Sequence, residues 1–244
     1  LQNNGEAIRA ASITSSWLNE NTLSYQRRLG GIHSLDLLGG YTRQGTTLDG
    51  SQMSNTNFAN DITGYFNIGA GTREGGPSVS SRRQSQALES WLARVNYSLK
   101  DRYLFTLVYR ADGSSRFAEN RKWGGFPSAA VAWRVSDESF VKDRVRAIDE
   151  LKLRASYGLS GNPSIRPYQS LARLGTQPTS FAGTPTIGFF PQAVGNPDLT
   201  WETTEQTNLG LDLGLWSRVS FTADWYGKRT RDLLLQIQLP FETG

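Results

Sequence analysis

Alternation with a period of two residues is the feature of this sequence that most limits what it can fold into. In Asn208-Leu209-Gly210-Leu211-Asp212-Leu213-Gly214-Leu215 every leucine falls on one side and every Gly, Asn and Asp on the other. A strand places alternate residues on opposite faces, whereas a helix would scatter those leucines around its circumference. The pattern recurs along the chain. Val219, Phe221, Ala223 and Trp225 oppose Ser220, Thr222, Asp224 and Tyr226. Leu151, Leu153, Ala155, Tyr157 and Leu159 oppose Lys152, Arg154, Ser156 and Gly158. Trp91, Ala93, Val95, Tyr97 and Leu99 oppose Arg94, Asn96, Ser98 and Lys100. Tyr103, Phe105, Leu107 and Tyr109 oppose Thr106 and Arg110, and Ala129, Val131, Trp133 and Val135 oppose Ser128 and Arg134. Strands are therefore expected near 18–28, 31–42, 87–99, 102–112, 125–135, 150–160, 204–215 and 218–228, with a further extended piece near 231–239.

The connections carry a second regularity. Leu29-Gly30, Lys100-Asp101 and Trp216-Ser217 are tight links. Residues 43–86, 113–124 and 161–203 are long ones, and 136–149 is intermediate and falls in a short-side slot. In an antiparallel meander alternate connections lie at opposite ends, so the long ones gather at one end and the short ones at the other. Outer-membrane barrels have short periplasmic turns and long outside loops, whereas a β-sandwich has no reason to sort its loops. A strand of about 11 residues rises roughly 36 Å. Tilted by about 40° it crosses roughly 28 Å, near the height of the apolar band. The expectation is an all-β, antiparallel transmembrane barrel segment, and the soluble alternative is a secreted β-sandwich that binds carbohydrate on its aromatic rows. Within the long segments short helices are expected over 58–66, from Phe58, Ile62 and Phe66, and inside 137–148, from Phe140, Val141, Val145 and Ile148.

Composition agrees with a barrel. Apolar residues make up 37% of the 244 and no stretch approaches the roughly 18 unbroken apolar residues of a transmembrane helix. Only every second residue of a barrel strand meets lipid, so low average hydropathy is natural there. Aromatic residues fall near strand ends on the apolar face. Tyr97, Tyr103 and Trp133 lie toward the short-turn end, and Trp91, Tyr109, Tyr157 and Trp225 toward the other half, the two belts that headgroup interfaces favour. The formal charge of +4 is small and dispersed, so nucleic-acid binding is not expected. Residues 1–16 lack the basic start, apolar core and cleavage site of a signal peptide, and the chain is expected to be a fragment.

Sites for chemistry are scarce. The absence of cysteine removes disulfides, thiolate metal sites and a thiol nucleophile. Metal binding needs clustered ligands, and none occur; no metal, cofactor or catalytic residue is expected. The single histidine, His33, opens a strand and is read as structural. No nucleophile elbow or phosphate-binding glycine loop is present. Glu202/Glu205 and Asp137/Glu138 are carboxylate pairs on paper, but both flank loops and are read as solvated. Arg110-Ala111-Asp112-Gly113-Ser114-Ser115-Arg116-Phe117 is a turn-forming run followed by Trp123-Gly124-Gly125-Phe126-Pro127-Ser128. It is read as a stable loop base rather than a substrate contact. Inward polar residues such as Arg94, Arg154, Asp212 and Asp224 are expected to line a lumen or touch a plug.

These runs also resemble a known family. Arg102-Tyr103-Leu104 through Arg110 to Phe117, Trp123 to Ala129, Ala132-Trp133-Arg134, and Leu151 to Gly158 with Gly161-Asn162 are similar to SusC/RagA-type TonB-linked outer-membrane transporters of Bacteroidetes. So are Asn196-Pro197-Asp198-Leu199-Thr200-Trp201-Glu202, Asn208 to Asp212, Tyr226 to Thr230-Arg231-Asp232-Leu233-Leu234, Glu20 to Tyr25, and His33 to Leu35 with Gly39-Gly40-Tyr41. The resemblance covers nearly the whole chain. It implies that residues 1–244 are a partial barrel domain, about eight or nine strands of a plugged 22-stranded barrel, without the plug. It further implies TonB-dependent import of oligosaccharides or peptides, not enzymatic turnover. The implied partners are a SusD-like surface lipoprotein, TonB through an N-terminal region, outer-membrane lipid and the imported substrate. No substrate-binding residue is carried over.

Overall fold

The computed structural model describes residues 5–145 and 147–235. Ten strands are present among the described residues: β1 (Glu6–Leu29), β2 (His33–Thr56), β3 (Ser78–Leu99), β4 (Tyr103–Ser114), β5 (Trp123–Arg134), β6 (Ile148–Asn162), β7 (Arg173–Phe181), β8 (Thr184–Ala193), β9 (Glu202–Leu215) and β10 (Val219–Arg231). The one α-helical turn among the described residues, α1, spans Ser139–Lys142. Eight strands form one sheet in the order β1-β2-β3-β4-β5-β6-β9-β10, and β7 and β8 pair separately as a hairpin. Every sheet neighbour is the nearest sheet strand in sequence, which is a meander. No second sheet of comparable size exists among the described residues to face it, so the sandwich alternative has no structural counterpart.

The chain divides into two compact units. The first contains residues 5–18 and 44–87, which is the start of β1, the end of β2, the start of β3 and the connection 57–77. Asn55 is fully buried there. Its side-chain amide donates to the carbonyls of Ile68 (2.8 Å) and Gly71 (3.0 Å) and so folds the connection back onto the strand end. The indole of Trp17 lies over Gly45, where a Cβ would come within 2.5 Å of it. Two expectations fail in this unit. The segment 43–86 is not a long loop, because β2 runs on to Thr56 and β3 begins at Ser78. These extensions, such as Ser78-Val79-Ser80-Ser81-Arg82-Arg83-Gln84-Ser85, carry polar residues on both faces, so hydrophobic periodicity is blind to them. The expected helix over 58–66 is also absent. Two 3₁₀ turns, Gly64–Phe66 and Ile68–Ala70, stand in its place, and Gly64 takes φ +50°, which a right-handed helix cannot pass through.

The second unit contains residues 19–43 and 88–235. Its tight links are three residues long, with the first two left-handed: Gly30-Gly31, Lys100-Asp101 (φ 54° each) and Trp216-Ser217 (φ 53° and 51°). Backbone bonds Ile32→Leu29, Arg102→Leu99 and Arg218→Leu215 close them. This twist matches that of the flanking strands, which fixes register. Leu99 pairs with Tyr103, Leu107 with Val95 and with Ala129, and Leu211 with both Ala223 and Leu153. Pro127 pairs with Tyr109 in the β4–β5 ladder and stands just beyond the β5–β6 ladder, which begins at Ser128 and Gly158. The sequence places the sheet strands within a few residues of their observed positions here. Two segments differ. Residues 161–203 are not loop throughout but contain the β7–β8 hairpin, turned at Ala182-Gly183. The helix inside 137–148 is only the turn α1, preceded by the 3₁₀ turn Val135–Asp137. Residues 236–239 of the expected extended piece near 231–239 lie outside the described residues.

Candidate functional site

The functional geometry of the second unit lies in the two faces of its sheet and in what closes its ends. On one face the odd-numbered residues of β3 to β5 and of β6, β9 and β10 stand in rows. Trp91, Phe105, Leu107, Tyr109, Val131, Leu153, Tyr157, Leu209, Phe221 and Trp225 are all exposed. Leu107 and Trp225 retain 58% and 59% of their surface. A water-soluble protein rarely leaves so large a contiguous apolar patch uncovered, and a face of this kind needs hydrocarbon against it. Small residues leave a shallow apolar groove of about 330 Å³ on it, lined by Ala93, Val95, Leu107, Ala129 and the rings of Tyr109 and Tyr157.

Aromatic rings bracket this face. Tyr41 packs on Trp91 (4.5 Å between centroids) at the long-connection end. Tyr97 stacks with His33 and with Phe105, and Tyr103 with Trp133, at the tight-turn end. His33 is thus part of an aromatic row, with Nδ1 2.7 Å from the Tyr97 hydroxyl.

The opposite face is polar and internally bonded. The Arg154 guanidinium donates two parallel bonds to Asp212 (2.9 and 3.0 Å) and a third to Asp224 (3.0 Å), bridging β6, β9 and β10. Gly210 makes room for it, since a Cβ there would lie 2.7 Å from the guanidinium carbon. Asn208 donates to Ser156 (3.0 Å) and Gln206 to Asn208 (2.7 Å), while Thr106 donates to Asn96 (2.9 Å). A recess of about 300 Å³ opens among Thr106, Ala130, Ala132, Arg154, Ser156 and Asn208. Of the inward residues expected from sequence, Arg154, Asp212 and Asp224 come together. Arg94 stands apart, its Nε buried without a hydrogen-bond partner.

At the long-connection end the turn-forming motifs converge on one small core. Phe117, Phe126 and Trp201 are buried against one another, with Leu88, Leu159, Ile165 and Leu199 packed around them. The Trp201 indole donates to the Lys122 carbonyl (2.9 Å), and Arg116 reaches the Pro163 carbonyl (2.9 Å). Arg110 holds Asp112 through its Nε at 2.7 and 2.8 Å, on the strand side of the turn. The Phe126 ring sits where Gly161 and Gly124 lack side chains, at 2.0 and 2.6 Å from the built Cβ positions. Three segments distant in sequence are thereby pinned at the base of the loops. The carboxylates Glu202 and Glu205 do not form a pair. Glu202 accepts from Asn162 (3.1 Å), and Glu205 from Arg231 (2.8 Å) and the Tyr157 hydroxyl (3.2 Å).

At the tight-turn end sequence reasoning noted Asp137 and Glu138 but missed their partners. Asp137 pairs with Arg134 (3.2 Å). Glu138 accepts from the Tyr103 hydroxyl (2.6 Å), the Trp133 indole (3.1 Å) and Arg102 (3.1 Å). The Tyr103 bond above all, then the Trp133 bond and the Arg102 charge, hold the Glu138 carboxyl below the usual carboxylate range. Those partners lie up to 36 residues away, and only the shared outward face of Tyr103 and Trp133 hinted at the meeting point. No group of three potential metal ligands occurs among the described residues.

Comparison with known proteins adds four findings. The family model described as TonB dependent receptor-like, beta-barrel matches residues 2–243. TonB-dependent receptor P26 of Formosa agariphila is 37% identical over 247 residues, covering all of this chain and 24% of that protein. TonB-dependent receptor SusC of Bacteroides thetaiotaomicron is 39% identical over 163 residues, covering 64% of this chain and 16% of that protein. Among solved structures, the RagAB peptide transporter superposes with a TM-score of 0.85 at 26% identity, over 97% of this chain and 26% of that one. The chain spans about a quarter of the length of these relatives.

Proposed function

The chain belongs to the family of TonB-dependent receptor-like β-barrels, and from that premise we propose that it is the wall of a nutrient importer of the outer membrane. The observation that carries this reading is the division of one sheet into an exposed apolar face with aromatic margins and a hydrogen-bonded polar face. Residues 1–244 form part of a single barrel domain, and the remaining strands and the plug are supplied outside this segment. The polar face lines the lumen and meets the plug. The long connections stand outside the cell, held at their base by Phe117, Phe126 and Trp201. A SusD-like surface lipoprotein covers that end, and TonB supplies energy from the opposite side through a region outside these residues. The cargo is an oligosaccharide or a peptide. No step in this role needs a nucleophile or a general base.

The test is uptake by the full-length receptor in its own membrane. Radiolabelled oligosaccharide or peptide mixtures are offered to cells with and without the receptor, with and without TonB, and with and without the adjacent lipoprotein gene. Uptake that requires receptor and TonB together supports the reading. Uptake unchanged when either is deleted refutes it.

A further inference from the structure

We propose that the connection between β5 and β6 is a phospholipid-binding rim, which takes an anionic headgroup from the leaflet on the tight-turn side through Lys142 and Arg144. The connection is anchored on the lipid-facing side of the sheet, not the lumen side. Glu138 is held by Tyr103 and Trp133, which share their face with Phe105, Leu107 and Val131. The segment is also tied to the β9–β10 turn, since the Trp216 amide donates to the Ala147 carbonyl (3.0 Å) and the Ser217 amide to Asp149. Val141 is buried and fixes the turn, while Phe140, Val145 and Trp216 remain exposed. Exposed Phe and Trp at the end of a membrane wall sit at headgroup level.

The charges of the connection are sorted in the same way. Asp137 is taken by Arg134 and Glu138 by Arg102. Lys142 and Arg144 are exposed and form no ion pair among the described residues. Two exposed cations on a connection that is anchored to the lipid-facing side and also exposes Phe140 complement a phosphate whose acyl chains run up that wall. A periplasmic protein approaching through the lumen would meet the other face. The inference rests on the outer-membrane placement of the chain and is independent of what the receptor imports.

A fluorophore attached at Val145→Cys in the full-length receptor, reconstituted in bilayers, reads the site locally through quenching by brominated lipids. Brominated phosphatidylglycerol is expected to outcompete brominated phosphatidylcholine by roughly 5-fold per cation, about 30-fold for the two. Lys142→Gln with Arg144→Gln brings the ratio close to one. Asp143→Asn, which removes an acid from the same turn, raises it. Phe140→Ser weakens quenching by both lipids alike. The proposal is overturned if neither lipid quenches the label, or if the double variant keeps the wild-type ratio. It is equally overturned if a periplasmic TonB fragment, and no lipid, protects the label.

Discussion

Leu107 and Thr106 are neighbours in sequence and opposites in environment, so one substitution placed at each isolates the face assignment. Leu107 stands 58% exposed in the middle of β4, between Val95 and Ala129. It lies four residues beyond Tyr103. At about 3.3 Å per residue and a tilt of about 40° it sits roughly 10 Å above that aromatic level, well inside the apolar band. An arginine at such depth on the lipid face costs about 2–4 kcal/mol. Thr106 faces the polar side, where an arginine costs no more than its one bond to Asn96, about 1 kcal/mol. The assay is reversible denaturant unfolding of the full-length receptor in lipid vesicles, followed by tryptophan fluorescence. Leu107→Arg is expected to lose at least twice the free energy that Thr106→Arg loses. Equal losses, or a larger loss at Thr106, would show that the faces are reversed or that the sheet does not cross a bilayer.

Four further outcomes follow from local geometry. Gly161→Ala drives a methyl into the Phe126 ring and is expected to cost about 1–3 kcal/mol, with faster proteolysis of the 163–201 connection as a second readout. Phe126→Ala is expected to cost about 3–5 kcal/mol in the same assays. Glu138 has a depressed carboxyl pKa, so its contribution is complete above the unfolded-state value and is lost as pH falls toward the folded one. Melting curves of the wild type should fall over that acid window, and Glu138→Gln should be less stable at neutral pH and show a smaller fall. Lys100 holds φ 54° without being glycine, so Lys100→Gly is expected to relieve about 1 kcal/mol of left-handed strain, seen as a higher melting temperature.

What was legible in the sequence followed the solvent on each side of the chain. Where lipid lies on one face and polar groups on the other, as at Leu209 to Leu215, period two is plain and places the strand within two residues. Where polar residues occupy both faces, as at Thr46 to Ser54, the contrast disappears and the sequence reads as loop. The hairpin β7–β8 was hidden for another reason. Its Pro178, Pro185 and Pro191 read as breakers, yet in a two-stranded ribbon each strand has a free edge to which a missing N–H can point. The turn-forming motifs were legible as a loop base, but not that Phe126 and Trp201 share a core, because that contact depends on the bare surface of Gly161. The Glu138 cluster was invisible for want of any local pattern joining Arg102, Tyr103 and Trp133.

The central claim is that odd-numbered residues of these strands face hydrocarbon and even-numbered ones face a polar lumen. These 244 residues contain no cysteine, so single cysteines placed at each position from 103 to 112 of the full-length receptor can each carry a nitroxide in this segment. Collision rates with oxygen and with a water-soluble nickel chelate are then measured in bilayers. The account predicts a period of two, with oxygen contact highest at 105, 107 and 109 and nickel contact highest at 104, 106 and 108. A period near 3.6, no period, or the opposite phase would contradict it.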